Sequence, residues 1–254
     1  MVKGYTAKES RIFEDPDAPV IIAPCHGRSH PGTSQMLEVL RYVYGWAFMP
    51  FFGSIGVDRV RSQAASMAMG QPKDYIFWCD DDNFAPVPAI LRMAERVSEL
   101  DLDVLAAVVP CRRTNTVANF SPLTDNEIIP LGRDGGVREV RSCGMAMALT
   151  HRRVFERLAK TLPTVTYGVA FSDEANDGWP FFLPEVDGEK KAHYGEDFSF
   201  CNRVRAAGMK LHVDTSVVGI HAHEAYLTLG DIEMEQDRRL AAEEQKNAVP
   251  LVFG

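Results

Sequence analysis

An α/β fold with a mostly parallel central sheet is predicted by two observations along the 254-residue chain. First, short β-rich apolar runs alternate with segments of helical apolar spacing through the first half. Second, one of these runs, Tyr75-Ile76-Phe77-Trp78-Cys79, ends in Asp80-Asp81-Asp82, and helical spacing resumes after Pro86. The acids therefore sit in a strand-to-helix turn at the carboxyl end of a strand, where open α/β sheets bind ligands.

Read in order, Val20 to Ala23 is a strand closed by Pro24, and Met36 to Tyr44 is a helix after the turn at Pro31-Gly32-Thr33. Trp46 to Phe52 and Val57 to Met69 form the next strand and helix, followed by the Tyr75–Cys79 strand. A helix over Pro88 to Leu100 and a strand over Val104 to Val109 complete an alternation that implies right-handed crossovers. Arg113 to Gly136 is polar and turn-rich, as a surface excursion would be. Val137 to Leu149 reads as one or two strands interrupted by Gly144, and His151 to Lys160 as a helix. Thr161 to Ala192 reads as a long glycine-, proline- and aromatic-bearing loop, a length usually kept for a lid or binding loop. Asp197 to Ala207 is a helix stopped by Gly208, Lys210–Val213 and Val217–Ile220 are short strands, and Asp231 to Gln245 is a charged helix before an apolar tail. The expected organisation is an N-terminal extension over 1–17, one domain over 18–224, and a C-terminal helix and tail over 225–254.

Composition narrows the classes. At 46% hydrophobic and 24% charged residues, the chain reads as an ordinary soluble globular protein. A net charge of −8 argues against a broad basic surface for nucleic acid, while Arg112, Arg113, Arg138 and Arg141 leave room for a local phosphate-binding strip. No run approaches the roughly 18 apolar residues of a membrane span, and Met1 to Asp17 lacks a signal-peptide core. Cys25, Cys79, Cys111, Cys143 and Cys201 show no metal-site or disulfide spacing, so a reduced, cytoplasmic protein is expected. Those ending apolar runs read as small packing residues.

Three constellations carry chemistry. Adjacent carboxylates at Asp80, Asp81 and Asp82 repel one another unless a cation joins them. Oxygen ligands favour Mg²⁺ or Mn²⁺, ions that commonly also hold a substrate phosphate. The competing reading makes Asp82 or Asn83 a cap for the following helix. Glu196 and Asp197 open a helix, where they are either capping acids or an acceptor-binding acid and a general base. His221 and His223 alternate on an extended segment, as metal ligands or as a polar surface pair. His26 and His30 read as loop polar groups or nucleotide contacts. Trp179, Phe181 and Phe182 either stack on a sugar face or pack beneath a loop.

In this order, the Pro24 strand end, Arg61, Asp80-Asp81-Asp82, Ser142-Cys143-Gly144-Met145-Ala146-Met147, Arg153-Val154-Phe155-Glu156, Glu196-Asp197 with Phe200 and Arg203, and His221 resemble a glycosyltransferase of the GT-A fold over about residues 18 to 224. The resemblance implies a Rossmann-like, mostly parallel sheet with a smaller acceptor-side extension. It implies that Asp80, Asp82 and His221 hold Mn²⁺ or Mg²⁺, and that Asp81 approaches the donor ribose or sugar. Asp197, or its neighbour Glu196, would serve as catalytic acid or base. Pro24 and Arg61 would lie near the nucleotide, and Gly144 and Trp179 would line the substrate site. Two positions depart from the family pattern: Pro24 is followed by Cys25-His26, and Arg61 by Ser62. The implied activity is transfer of a sugar from a nucleoside-diphosphate sugar, UDP-sugar favoured, to a hydroxyl of a saccharide or a modified DNA base. A homo-oligomer is compatible with it. The competing functions are a sugar-1-phosphate nucleotidyltransferase, whose Gly-rich phosphate loop is missing here, and a non-catalytic nucleotide-sugar-binding protein.

Overall fold

Strand–helix alternation and the buried, β-branched strand runs build an eight-stranded mixed sheet covered by helices on both faces. The computed structural model describes residues 18–25, 29–52, 56–110, 118–125, 127–168, 175–189 and 191–222. The strands and helices are β1 (Val20–Cys25), α1 (Pro31–Tyr42), β2 (Ala47–Phe52), α2 (Val57–Ala68), β3 (Tyr75–Cys79), β4 (Asn83–Phe84), α3 (Val87–Glu99), β5 (Val104–Val108), β6 (Phe120–Pro122), β7 (Val137–Cys143), β8 (Met147–His151), α4 (Arg152–Ala159), β9 (Val165–Gly168), β10 (Ala175–Gly178), β11 (Glu185–Asp187), β12 (Ala192–Tyr194), α5 (Glu196–Ala206), β13 (Leu211–Val218) and β14 (Ile220–His221). The large sheet has the order β2-β1-β3-β8-β5-β13-β7-β6.

The first-half alternation produces the parallel part, in which β1 pairs with β2 and β3. β5 pairs in parallel with β13, while β8 lies antiparallel between β3 and β5. β7 runs antiparallel to both β13 and β6. Both edge strands carry a proline, Pro50 in β2 and Pro122 in β6, which removes a ladder donor and blunts pairing with another chain.

Side-chain alternation in β3 divides the core. Ile76 and Trp78 face the layer formed by α2, α4 and α5, where Phe155, Phe181, Phe182 and Phe200 are fully buried. Tyr75, Phe77 and Cys79 face α1 and α3. Edge and stacked contacts link Trp78 to Phe155 and Phe182, and Phe182 to Phe200 at 4.4 Å between ring centroids. Phe181 and Phe182 are therefore core residues, and the packing reading of that aromatic stretch holds for them. Trp179 lies at the cluster's margin, stacked on Phe181.

Several expected segments contain more structure than their sequence suggested. Helix α1 begins at Pro31, because Pro suits a first helical turn and the His30 ring accepts from the Gly32 amide as a cap. The expected loop over 161–192 contains the pair β9–β10 and strand β11, whose partner β12 begins at the loop's last residue, Ala192. The excursion over 113–136 carries edge strand β6, and the two short strands after Lys210 merge into one, β13, with an irregularity between Asp214 and Val218. The Asp80–Asp82 turn is followed by β4, paired with β14 so that Asn83 lies opposite His221. His26, Cys111, Arg112, Arg113, His223, the extension over 1–17 and the C-terminal helix and tail lie outside the described residues. Among the described residues, no helix is long and apolar enough to cross a membrane. Cys79, Cys143 and Cys201 are buried free thiols.

The indole of Trp78 donates to Thr150 Oγ1 at 3.2 Å, with both residues fully buried. Thr150→Val preserves shape and removes the acceptor, so it is expected to cost about 1–3 kcal/mol in urea unfolding, with the denaturant slope unchanged. Wild-type stability in this variant would show that the bond contributes nothing to the core.

Candidate active site

A cavity of about 360 Å³ opens at the carboxyl ends of β1 and β3. It is lined by Pro24, Val57, Arg61, Asp80, Asp81, Asp82, Glu196, Asp197 and His221. Eight of these nine were singled out in the sequence; Val57, an apolar residue opening α2, carried no signal that could have found it.

Backbone bonds place the aspartate turn from three sides. The Asp80 amide donates to the Ala146 carbonyl at 2.9 Å, and the Asp81 carbonyl accepts from the His30 amide at 2.7 Å. The Asp82 carbonyl accepts from the Ala222 amide at 2.8 Å. His30 is thereby a structural residue: it caps α1, and its ring stacks on Phe84 at 5.1 Å.

The acids do not act as helix caps. Pro86 is the cap residue of α3 and Gly195 that of α5, and neither helix start has a side-chain cap bond. Asp197 instead accepts from Arg61 Nη1 at 2.5 Å and from the Met145 amide at 3.0 Å. Arg61 Nη1 also donates to Glu196 at 3.2 Å, and Nη2 donates to both Asp80 oxygens at 2.8 and 3.1 Å. Arg61 is only 1% exposed. Burial disfavours its charge, but Asp197, Asp80 and Glu196 outweigh that and hold its pKa above the ordinary arginine value. For Asp197, desolvation together with Glu196 and Asp80 outweighs Arg61 and the Met145 N–H, and the carboxyl is pushed up to about 6. That value suits a general base near neutral pH.

The second pair is Asp82 with His221. His221 Nδ1 lies 2.9 Å from the Pro110 carbonyl, which can only accept, so Nδ1 carries the proton. In the neutral ring, Nε2 then presents a lone pair 3.5 Å from Asp82 Oδ2. Two electron-rich atoms at that spacing need a proton or a cation between them, and an imidazole nitrogen with a carboxylate oxygen suits Mn²⁺. Among the described residues, no group of three or more His, Cys, Asp or Glu side chains is assembled as a metal site. Both Asp80 oxygens are already engaged by Arg61. Asp82 and His221 fit a divalent ion, and each Asp80 oxygen keeps a lone pair beside its bond to Arg61, with further ligands left to substrate or water.

The structure does not bring Gly144 or Trp179 into the cavity lining. Gly144 packs against Asn119, where an added Cβ would sit 3.0 Å from Nδ2, and its amide donates to the Asn119 carbonyl. The Trp179 amide donates to Ser66 Oγ, and the Phe182 amide to Ser62 Oγ. Ser62 and Ser66 therefore anchor the 179–182 segment to α2. Away from the cavity, Arg141 pairs with Asp125 at 2.9 Å.

No protein-family model and no curated protein matches the chain. Among solved structures, it is similar to A197 from STIV at 13% identity and a TM-score of 0.53, covering 82% of this chain and 86% of that one. A further similarity is to GalNAc-T7 solved with UDP, GalNAc and Mn²⁺, at 11% identity and a TM-score of 0.48. That match covers 83% of this chain and 45% of the GalNAc-T7 chain. The likeness to A197 shows a shared α/β fold across most of both chains.

Proposed function

We propose that this protein is a metal-dependent glycosyltransferase of the GT-A type, moving a sugar from a nucleoside-diphosphate sugar, with UDP-sugar the favoured donor, to an acceptor hydroxyl. The observation that carries the reading is one cavity holding two differently equipped groups of acids: Asp82 with His221 Nε2 3.5 Å away, and Asp197 with Glu196 around a buried guanidinium. A bound Mn²⁺ or Mg²⁺, held by Asp82 and His221, would supply charge stabilisation for the departing diphosphate. Asp81 lines the same cavity and is assigned to a donor hydroxyl. Asp197 keeps 23% of its side chain exposed, which leaves it able to accept the proton of an acceptor hydroxyl. Glu196, beside it, completes the acceptor side. The acceptor is a saccharide or a modified nucleic-acid base.

Donor binding tests the metal pair. In a thermal-shift panel of nucleotide sugars with and without Mn²⁺, UDP-sugar is expected to stabilise the wild type only with the ion. Asp82→Ala is expected to abolish this stabilisation with little change in the ligand-free melting temperature, and His221→Ala to weaken it less. Unaltered metal dependence in Asp82→Ala would remove that residue from the site. Pyrophosphate release from a nucleoside triphosphate and a sugar phosphate would instead identify a nucleotidyltransferase.

Chemistry is tested at Asp197. Asp197→Asn is expected to retain UDP and Mn²⁺ binding and lose about 10²-fold or more in turnover. The base must be ionised, so wild-type kcat/KM should rise with pH through about 6, a limb that the Asn variant lacks. A larger loss in Glu196→Gln would exchange the two roles, and near-native turnover in both would exclude a carboxylate base.

The same shift has a stability consequence. Because the Asp197 pKa is raised on folding from 3.8 to about 6, its contribution to stability is present below pH 3.8 and lost as pH rises through about 6. Asp197→Asn should therefore flatten the wild-type decline in unfolding free energy across that window. An unchanged pH dependence would show that folding does not perturb this carboxyl.

A further inference from the structure

The resemblance in the sequence implied that Arg61 lies near the nucleotide. Its surroundings assign it other work. Both Nη atoms already donate to carboxylates, and the residue is 1% exposed, so the guanidinium offers the cavity little surface. We propose that Arg61 is a positioning residue, a brace fixing the distance between the donor-side turn at Asp80 and the acceptor-side acids Asp197 and Glu196; this rests on the sugar-transfer reading of the cavity.

The brace is one side of a closed circuit. Arg61 joins Asp80 to Asp197 through its two Nη atoms. The other side is the turn before β8: the Met145 amide donates to Asp197 Oδ2 at 3.0 Å, and the Ala146 carbonyl accepts from the Asp80 amide at 2.9 Å. Two adjacent residues of one turn thus hold the same two acids that the guanidinium holds. A ring of this kind cannot change the spacing of Asp80 and Asp197 without breaking a bond to a charged group.

The arm that carries the guanidinium is itself anchored. One and five residues beyond Arg61, the Ser62 and Ser66 hydroxyls accept from the Phe182 and Trp179 amides, and Phe182 is fully buried in the aromatic core. Helix α2 is therefore fixed to that core beside the residue whose side chain spans the site. A planar fork with two separated Nη groups can serve acids on two elements at once, whereas a lysine ammonium concentrates its charge at one point. Base and leaving group must be placed within a fraction of an ångström for transfer, and misplacement by about 1 Å costs on the order of 10²-fold. Asp80, with both oxygens on Nη2, is the donor-side foot of this brace.

The test compares full-length wild type with Arg61→Lys and Arg61→Met, measuring UDP binding with Mn²⁺ by calorimetry and the steady-state hydrolysis of UDP-sugars. The brace predicts that Arg61→Lys keeps the UDP Kd and the KM within about threefold while kcat falls at least about tenfold. A raised Kd and KM with kcat retained would make Arg61 a nucleotide contact and overturn the proposal. Wild-type kcat and KM in a folded but less stable Arg61→Lys would also overturn it, leaving a purely structural charge. Should the Arg61 variants not fold, Asp80→Asn and Asp197→Asn, alone and combined, provide a double-mutant cycle by urea unfolding that needs no turnover. The brace predicts a departure from additivity of about threefold or more in the unfolding constant, and additivity within error overturns it. If the wild type hydrolyses no UDP-sugar, the sugar-transfer reading fails, and the cycle still decides whether Arg61 couples the two acids.

Discussion

Burying a guanidinium is prohibitive unless its charge is met, and removing one partner from such a cluster typically costs about 3–5 kcal/mol. At Arg61 the charge is met by Asp80 from the strand-end turn and by Asp197 and Glu196 from the first turn of α5. Sequence positions 61, 80 and 197 are thereby made neighbours, and the Asp80 turn and the first turn of α5 are tied together across the cavity they line. The cluster holds more negative than positive charge, and Asp81 and Asp82 add to the excess in the same cavity. Burial, with Glu196 and Asp80 adding to it, raises the pKa of Asp197, and the excess of negative charge suits a cation-accompanied anionic substrate better than a bare one.

The Asp82–His221 pair depends on backbone pairing. His221 is brought to Asp82 because β14 pairs with β4, and the Ala222 amide adds a bond to the Asp82 carbonyl. The Pro110 carbonyl, just beyond β5, then fixes the imidazole tautomer. A two-residue sheet, a carbonyl and one carboxylate thus prepare a nitrogen–oxygen pair from three distant stretches of chain.

Much of this was legible because strong local signals carried it. The apolar run before Asp80, the helix after Val57 and the Gly208 stop each follow from periodicity or backbone preference, and Gly208 adopts the left-handed conformation (φ 75°) that ends α5. The acids were legible as a site because three adjacent charges at a strand end demand an explanation. What was not legible is short or mutual. β4 and β14 are two residues each, too short for any period, and exist only through their pairing. The strand pairs β9–β10 and β11–β12 lie in glycine- and proline-rich sequence that reads as loop, and only their partners make them strands. The aromatic residues 179–182 were ambiguous because packing and sugar stacking use the same side chains; burial of Phe181 and Phe182 decides for packing. Arg61 lines the same cavity as the acids, yet its partners lie 19 and 136 residues away, beyond any local reading.

The central claim is that Asp82 and His221 share a divalent cation at the end of β3. The direct measurement is an anomalous difference map from crystals grown with Mn²⁺ and UDP, collected above the manganese absorption edge. The account predicts one strong peak bonded to Asp82 Oδ2 and His221 Nε2, with UDP phosphate oxygens completing its coordination. A peak elsewhere in the cavity, or ordered UDP with no anomalous density at that pair, would contradict it.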